Sequence, residues 1–552
     1  MNRVDSYPDE ATAHTGRRIT ATAGPFVLYL LIVLTFYPRY RFLNGPDAIS
    51  YISVARHYIH GEWREALNPY WSPLFSWLMI PLIGSGIPGL ASAKIVSICS
   101  GFLVIWSIGR LLRISEISGV LFSAALYTAA TMTASFSLIW ITPDLLSAAV
   151  VLWYLTMILS PSYGTDRHAG LRCGLVGALG YLAKAYNFYF FLGHFTLLSL
   201  LRWIQSDAER RRRALRHSGL GLAVFVAACA PWIAVVSTQV HSPAISSASE
   251  WNRRLVGPNS PGFPQFYRPL PPSSPHALSM WENPSPSLLP QWSLINPPRN
   301  LRHELRLIVT NLRGLFAILN HVSVFGLAVL FGLLLWGITR TPGGDILWLQ
   351  ILLTVALLPA GYLFVTLRDR YGWNDRYLWV AIFLLLLIAF IDLRVMSRGL
   401  SRVSVYLAIA GVSLSFSVPP MLDLLRGRNG GRALYEASVA LKSSIPAGTR
   451  LASCGQWNDG LGLAYFLNTP YYGVTGITAD EVEFRSILNP NPYPNGVPQR
   501  FTPEEMAQVL RANSIDYLVI FPDCPATPSS GVGAKRVETS DSTNLAVYKL
   551  DH

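Results

Sequence analysis

The sequence predicts an α-helical polytopic membrane protein of about eleven transmembrane helices that ends in a small soluble α/β domain. Three observations predict this. The composition is 51% hydrophobic and only 14% charged, against about a quarter charged in soluble domains. Apolar runs separated by short arginine-bearing connectors fill the first 425 residues, and beyond residue 426 the pattern changes to short alternating helices and strands.

The spans fall near 22–38, 89–112, 118–138, 143–159, 171–184, 186–203, 217–238, 316–338, 345–366, 376–393 and 403–420. Several reach or approach the roughly 20 residues that a helix rising ~1.5 Å per residue needs to cross ~30 Å of hydrocarbon. The first is read as a retained anchor rather than a signal peptide, because the small residues Ala21 and Ala23 precede its apolar run instead of following it. In 171–184, Gly170, Gly174, Gly177 and Gly180 suit close helix packing, and the pair of spans flanking Lys184 reads either as two short helices or as one kinked re-entrant unit.

Charge supplies the topology. From residue 426 onward there are 11 Lys and Arg against 12 Asp and Glu, so the first 425 residues hold 33 against 19, the source of the net +13. Arg17, Arg18, Arg110, Arg113, Arg167, Arg172, Arg210 to Arg213, Arg216, Arg340, Arg394, Arg398 and Arg402 sit in the N-terminal tail or in alternate short loops. The positive-inside rule places these in the cytoplasm, which accounts for the basic excess without nucleic acid. The expected organisation is a cytoplasmic tail (1–21), a transmembrane domain (22–425) with long outer loops at 39–88 and 239–305, and an extracytoplasmic α/β domain (426–552) of a multi-pass cell (inner) membrane protein.

In the first loop Ala48, Ile52, Ala55 and Ile59 recur at helical spacing among polar residues, predicting an amphipathic helix along the interface. The second holds thirteen prolines between residues 243 and 298, too many for helix or central strand. It reads as a linker or as a lid carrying Trp251, Trp281 and Trp292. In the C-terminal domain helices are expected at 434–443, 460–467 and 502–512, and strands at 450–454, 471–474, 515–521 and 545–550. Cys454 and Cys524 each stand at the end of a strand; parallel neighbours in an oxidising compartment would bridge them, and otherwise they stay thiols.

Ionisable residues avoid the middle of the spans. Asp47, Asp144, Lys184, Arg368, Asp369, Arg370, Asp375 and Arg376 all map to outer loops or outer ends. A proton or ion pathway would string acids through the bilayer, whereas both signs gathered at one boundary suit surface chemistry.

Their context has a familiar order. Asn44-Gly45-Pro46-Asp47-Ala48-Ile49-Ser50-Tyr51, then Ala55-Arg56, Gly61-Glu62-Trp63 and Pro69-Tyr70-Trp71-Ser72-Pro73, resembles the first outer loop of GT-C membrane glycosyltransferases, among them the protein O-mannosyltransferase and aminoarabinose-transferase relatives. Thr142-Pro143-Asp144, Leu182-Ala183-Lys184 and Arg376-Tyr377-Leu378 continue the similarity over the whole chain in outline. Where aminoarabinose-transferase relatives carry a lysine, this sequence has Ser72, so donor identity does not carry over.

The resemblance implies an enzyme that passes a sugar from a polyprenyl-phosphate-linked donor to a glycan, lipid or protein acceptor at the outer face, usually with inversion. It makes Asp47 the base or acceptor orienter, with Asp144 as a second catalytic carboxylate that binds acceptor or a divalent metal. A lipid phosphate needs cations on its developing charge, and a hydroxyl nucleophile needs a base. Lys184, Arg370 and Arg376 are therefore the expected donor-phosphate ligands, and Tyr51 the expected wall of the sugar pocket. Each has a purely structural alternative: a helix-dipole partner for Asp47, a helix start at Asp144, headgroup anchors for the cations, packing for Tyr51. His57 and His60 lie i, i+3, with no third metal ligand fixed by spacing. A transporter or flippase of lipid-linked sugars is the rival reading; inverted repeats would mark it, and none is apparent.

Overall fold

The computed structural model describes residues 10–205, 207–260, 263, 269–287, 289–293, 298–323, 346–365, 368–369, 372–427, 431–475, 503–522, 524, 534–540 and 545–550. Six helices among these are long and apolar enough to cross a membrane: Ala23–Tyr40, Gly89–Ile114, Gly119–Ile139, Arg211–Gln239, Asp375–Met396 and Arg402–Arg426. Shorter apolar helices stand at Leu74–Gly84, Asp144–Ile158, Ala169–Ala183 and Leu349–Phe364. Most of the span expected at 316–338 lies outside the described residues.

Helix α1 (Glu10–Tyr40) reaches back into the tail expected at 1–21. The first long loop folds into α2 (Pro46–His60), α3 (Trp63–Ala66) and α4 (Leu74–Gly84). Pro46 at the first helical turn starts α2, and Gly61, with φ 75°, ends it by donating to the carbonyls of His57 and Tyr58. Its buried face holds Ala48, Ile52 and Ala55, as the spacing predicts, whereas Ile59, expected on the same face, is exposed. The bundle continues with α5 (Gly89–Ile114), α6 (Gly119–Ile139), α7 (Asp144–Ile158), α8 (Ala169–Ala183), α9 (Tyr186–Ile204) and α10 (Ala208–Gln239).

The pair around Lys184 is two helices. The backbone at Lys184 is extended (φ −155°, ψ 124°), which breaks α8 from α9 and leaves the lysine at the break. The glycines of α8 let α10 approach: a Cβ at Gly174 would lie 2.4 Å from the Gly221 carbonyl oxygen, whereas at Gly180 nothing comes nearer than 3.5 Å.

The proline-rich loop is less extended than its composition predicts. Its proline-free stretch forms α11 (Ser247–Leu255), with Ser246 as N-cap, and α12 (Pro298–Val322) begins within the segment expected to be loop. Then follow α13 (Ile346–Ala360), a two-residue hairpin of β1 (Arg368–Asp369) and β2 (Gly372–Trp373), α14 (Trp379–Met396) and α15 (Arg402–Arg426). Nearly every side chain of α14 is buried, so it is the central post of the bundle.

The C-terminal domain comprises α16 (Arg432–Leu441), α17 (Trp457–Leu467), α18 (Pro503–Ala512) and a sheet of β3 (Leu451–Cys454), β4 (Tyr471–Val474), β5 (Tyr517–Ile520), β6 (Ala534–Ser540) and β7 (Leu545–Leu550). The sheet order is β4-β3-β5-β7-β6; β3 runs parallel to β4 and β5, and β7 antiparallel to β5 and β6. Strand β6 is not foreseen from the sequence. Side chains alternate between faces: Leu451, Tyr517 and Val519 join a core with Trp251, Trp281 and Trp457, while Ala452, Leu518 and Ile520 pack under α18. Cys454 and Cys524 form a disulfide with Cα atoms 5.3 Å apart.

Candidate functional site

Three helix ends and a 3₁₀ turn at the sheet-bearing end of the bundle bring the charged residues together. Asp47 stands in the first turn of α2, Asp144 opens α7, Lys184 closes α8, and Arg376 lies in the 3₁₀ turn Asp375–Leu378 that leads into α14. Arg376 joins the carboxylates: its Nη1 donates to Asp47 Oδ2 at 3.0 Å, and its Nε lies 3.7 Å from Asp144 Oδ2. Asp144 accepts a short hydrogen bond from the Lys184 ammonium. The order Asp47, Arg376, Asp144, Lys184 is therefore a chain of alternating charge. Side-chain exposure falls from 24% at Asp47 to 12% at Arg376 and 5% at Asp144, so the buried members are matched in charge.

A buried Arg376 Nε has no hydrogen-bond acceptor among the described residues, since its approach to Asp144 is an ion pair without a hydrogen bond. A guanidinium donor of this kind suits an incoming anion. Asp144, Ser147, Lys184, Asn187, Tyr362 and Arg376 line one pocket, with Leu358 and Val380 as an apolar wall.

Aromatic rings enclose the cations. Lys184 Nζ lies 4.2 Å from the centroid of Tyr377 and 5.5 Å from that of Tyr362. Tyr362 stacks between Tyr377 at 5.0 Å and Tyr186 at 4.3 Å, and the Arg376 guanidinium lies 5.0 Å from the Trp140 ring. None of these rings was singled out from sequence; Tyr377, adjacent to Arg376, is the one a local signal points to.

Asp47 has a second partner that sequence spacing does not reveal. Trp281 of the proline-rich loop donates its indole N–H to Asp47 Oδ1 at 3.2 Å. The loop is held against α2 around it: His57 bonds Glu62 at 2.5 Å and Glu282 at 3.0 Å, and Asn68 donates to the Glu282 carbonyl at 2.6 Å. Burial pulls the His57 imidazole down, yet hydrogen bonds and charge from Glu282 and Glu62 outweigh it and hold its pKa above the ordinary 6.5. The loop also hydrogen-bonds the sheet edge, Tyr471 donating to Leu278 at 2.7 Å and Leu270 to Tyr472 at 2.6 Å. Its described residues thus form a cover over α2 rather than a passive linker.

Tyr51 is buried against Trp71 and Phe75, at ring distances of 5.0 and 5.5 Å. Burial raises its pKa well above 10, and the charges of Asp47 and Asp144 raise it further, so its hydroxyl keeps its proton. Arg370 lies outside the described residues. Among them no group of three or more His, Cys, Asp or Glu is placed to hold a metal ion; His57 is engaged by carboxylates, and both site aspartates face Arg376.

No protein-family model matches the chain, and no curated protein matches it in sequence. Solved structures do match in fold. ArnT from Cupriavidus metallidurans bound to undecaprenyl phosphate aligns over 95% of this chain and 98% of its own at 16% identity, with a TM-score of 0.52. The oligosaccharyltransferase of Archaeoglobus fulgidus in its apo form aligns over 90% of this chain and 69% of its own at 14% identity, with a TM-score of 0.54. Both are GT-C glycosyltransferases, and the chain has the GT-C fold.

Proposed function

We propose that this GT-C protein is an inverting glycosyltransferase that moves a sugar from a polyprenyl-phosphate-linked donor to an acceptor at the outer face of the cell membrane. The observation that carries the reading is Arg376 set between Asp47 and Asp144, with Lys184 beside it, in a pocket with one apolar wall. Support for the lipid comes from the undecaprenyl phosphate bound to ArnT. The basic connectors support the orientation: Arg394, which bonds Glu116 at 2.6 Å, closes the opposite end of the bundle. That end is the cytoplasmic one, the chain crosses the bilayer about eleven times, and residues 426–552 stand outside.

In this mechanism Arg376 and Lys184, with Arg370 as a further candidate, hold the donor phosphate. The acceptor hydroxyl attacks the anomeric carbon from the face opposite the phosphate, and Asp47 takes its proton. The bond from that carbon to the phosphate oxygen breaks, and the electron pair leaves with polyprenyl phosphate, whose added charge the cations hold. Asp144 keeps both cations in register, and Tyr51 stiffens the helix that presents Asp47.

Mass spectrometry of envelope glycans and glycolipids from cells lacking the gene tests the reading. One sugar decoration is expected to vanish and to return with the wild-type gene. Without the gene the unused lipid-linked sugar should accumulate in the outer leaflet; its accumulation in the cytoplasmic leaflet would point to a flippase instead, and an unchanged profile would contradict both.

A further inference from the structure

Helix α12 runs along the site-bearing end of the bundle rather than through it. At its start Glu304 is held by Arg253, with contacts of 3.0 and 2.6 Å, and Arg253 also donates to the Phe364 carbonyl at 2.8 Å. At its middle Asn311 donates to the carbonyls of Leu363 and Val365 at 2.9 and 3.0 Å, where α13 gives way to the turn carrying Tyr362. At its far end His321 lies 3.3 Å from Asp423 of α15, just before the chain enters the C-terminal domain. These anchors all belong to the same end of the molecule, so a helix ~37 Å long, at ~1.5 Å per residue, lies across that end.

Its exposed surface is divided. Leu301, Leu305, Val309, Leu312 and Phe316 are 36–56% exposed, and at ~100° per residue they share an arc of about 80°. Arg302, Arg306 and Arg313 are exposed too, and fall in the adjoining arc of about 40°. The opposite side, with His303, Glu304, Leu307, Asn311 and Ile318, is buried against the protein. The only acid in α12 is the buried Glu304, and no arginine of the three forms an ion pair with a described residue.

An apolar arc beside a basic arc free of acids is the pattern of a helix lying in a membrane interface. The apolar stripe is continuous in kind with the exposed apolar faces of the spans, and the arginines would stand at headgroup depth. We infer that α12 is a docking surface for anionic phospholipid headgroups of the surrounding bilayer, with Arg302, Arg306 and Arg313 as the headgroup ligands and the leucine stripe in the acyl boundary. Because Asn311 ties the helix to the turn bearing Tyr362, this surface is one helix away from the phosphate-binding pocket.

Full-length protein in nanodiscs containing a photoactivatable phosphatidylglycerol or phosphatidylcholine tests this, with crosslinked peptides mapped by mass spectrometry. Residues 298–322 should be labelled by both lipids. R302Q/R306Q/R313Q should cut labelling by the anionic lipid at least fivefold, the factor that corresponds to ~1 kcal/mol for one basic side chain at an anionic surface, and leave labelling by phosphatidylcholine unchanged, which also shows the variant folded. Equal anionic labelling of wild type and variant would overturn the inference. So would absence of label from either lipid, which would mean that another protein covers the helix. Displacement of the label by added polyprenyl phosphate would assign the arginines to the donor lipid and would overturn it as well.

Discussion

Arg376 is the residue on which the geometry converges, because it alone among the described residues touches both aspartates. Lysine there would keep the charge and lose the fork that reaches two partners at once. Arg376→Lys is therefore expected to fold and to lower kcat/KM by about 100-fold, the scale of losing one preorganised transition-state donor. Thermal unfolding in detergent alongside turnover checks both halves. That Asp47, Asp144, Lys184 and Arg376 would be neighbours was legible only from the order of short motifs, since they are separated by up to 329 positions. Trp281 was legible only as one ring of a lid, with no partner assigned to it, and Tyr362 was not legible at all. An aromatic side chain in a loop gives no sign of which carboxylate or ammonium it will meet, because that contact is made by tertiary packing.

At the scale of elements, the proline-rich loop is tied to α2 by a titratable clasp of His57, Glu62 and Glu282, with His276 3.4 Å from Glu62. The raised His57 pKa means that its contribution is complete below 6.5 and is lost as pH rises through the raised value. The Glu62 carboxyl is held below 4.5, chiefly by its hydrogen bond from His57, so its contribution is complete above 4.5 and is lost as pH falls through the lowered value. Docking of the loop should be tightest between these values. Hydrogen exchange at the Leu278 amide, which donates to Glu282 at 2.5 Å, corrected for its intrinsic pH dependence, should quicken above the His57 pKa, and His57→Gln should flatten that rise. The misreadings of the sequence also belong to this scale. Proline count argued against helix across 243–298, yet the stretch between Pro243 and Pro258 is long enough for α11, and Pro298 starts α12 because proline suits a first turn.

For the whole molecule, the apolar runs made the helical bundle readable, since lipid imposes a length rule on every span, and the arginine distribution carries the proposed orientation. The α/β alternation made the small domain readable too, apart from β6, a polar edge strand with weak patterning. The disulfide between Cys454 and Cys524 closes a 70-residue separation across that domain. Changing both cysteines to serine should cost the domain about 2–4 kcal/mol, seen as a lower unfolding temperature that reducing agent does not lower further. The central claim is that one carboxylate at the bilayer boundary serves sugar transfer from a lipid phosphate, and Asp47→Asn tests it most directly. Purified wild type and variant, reconstituted with a panel of polyprenyl-phosphate sugars and envelope acceptors, should bind donor lipid alike, and only the wild type should release polyprenyl phosphate together with glycosylated acceptor. Full transfer by the variant would contradict the account.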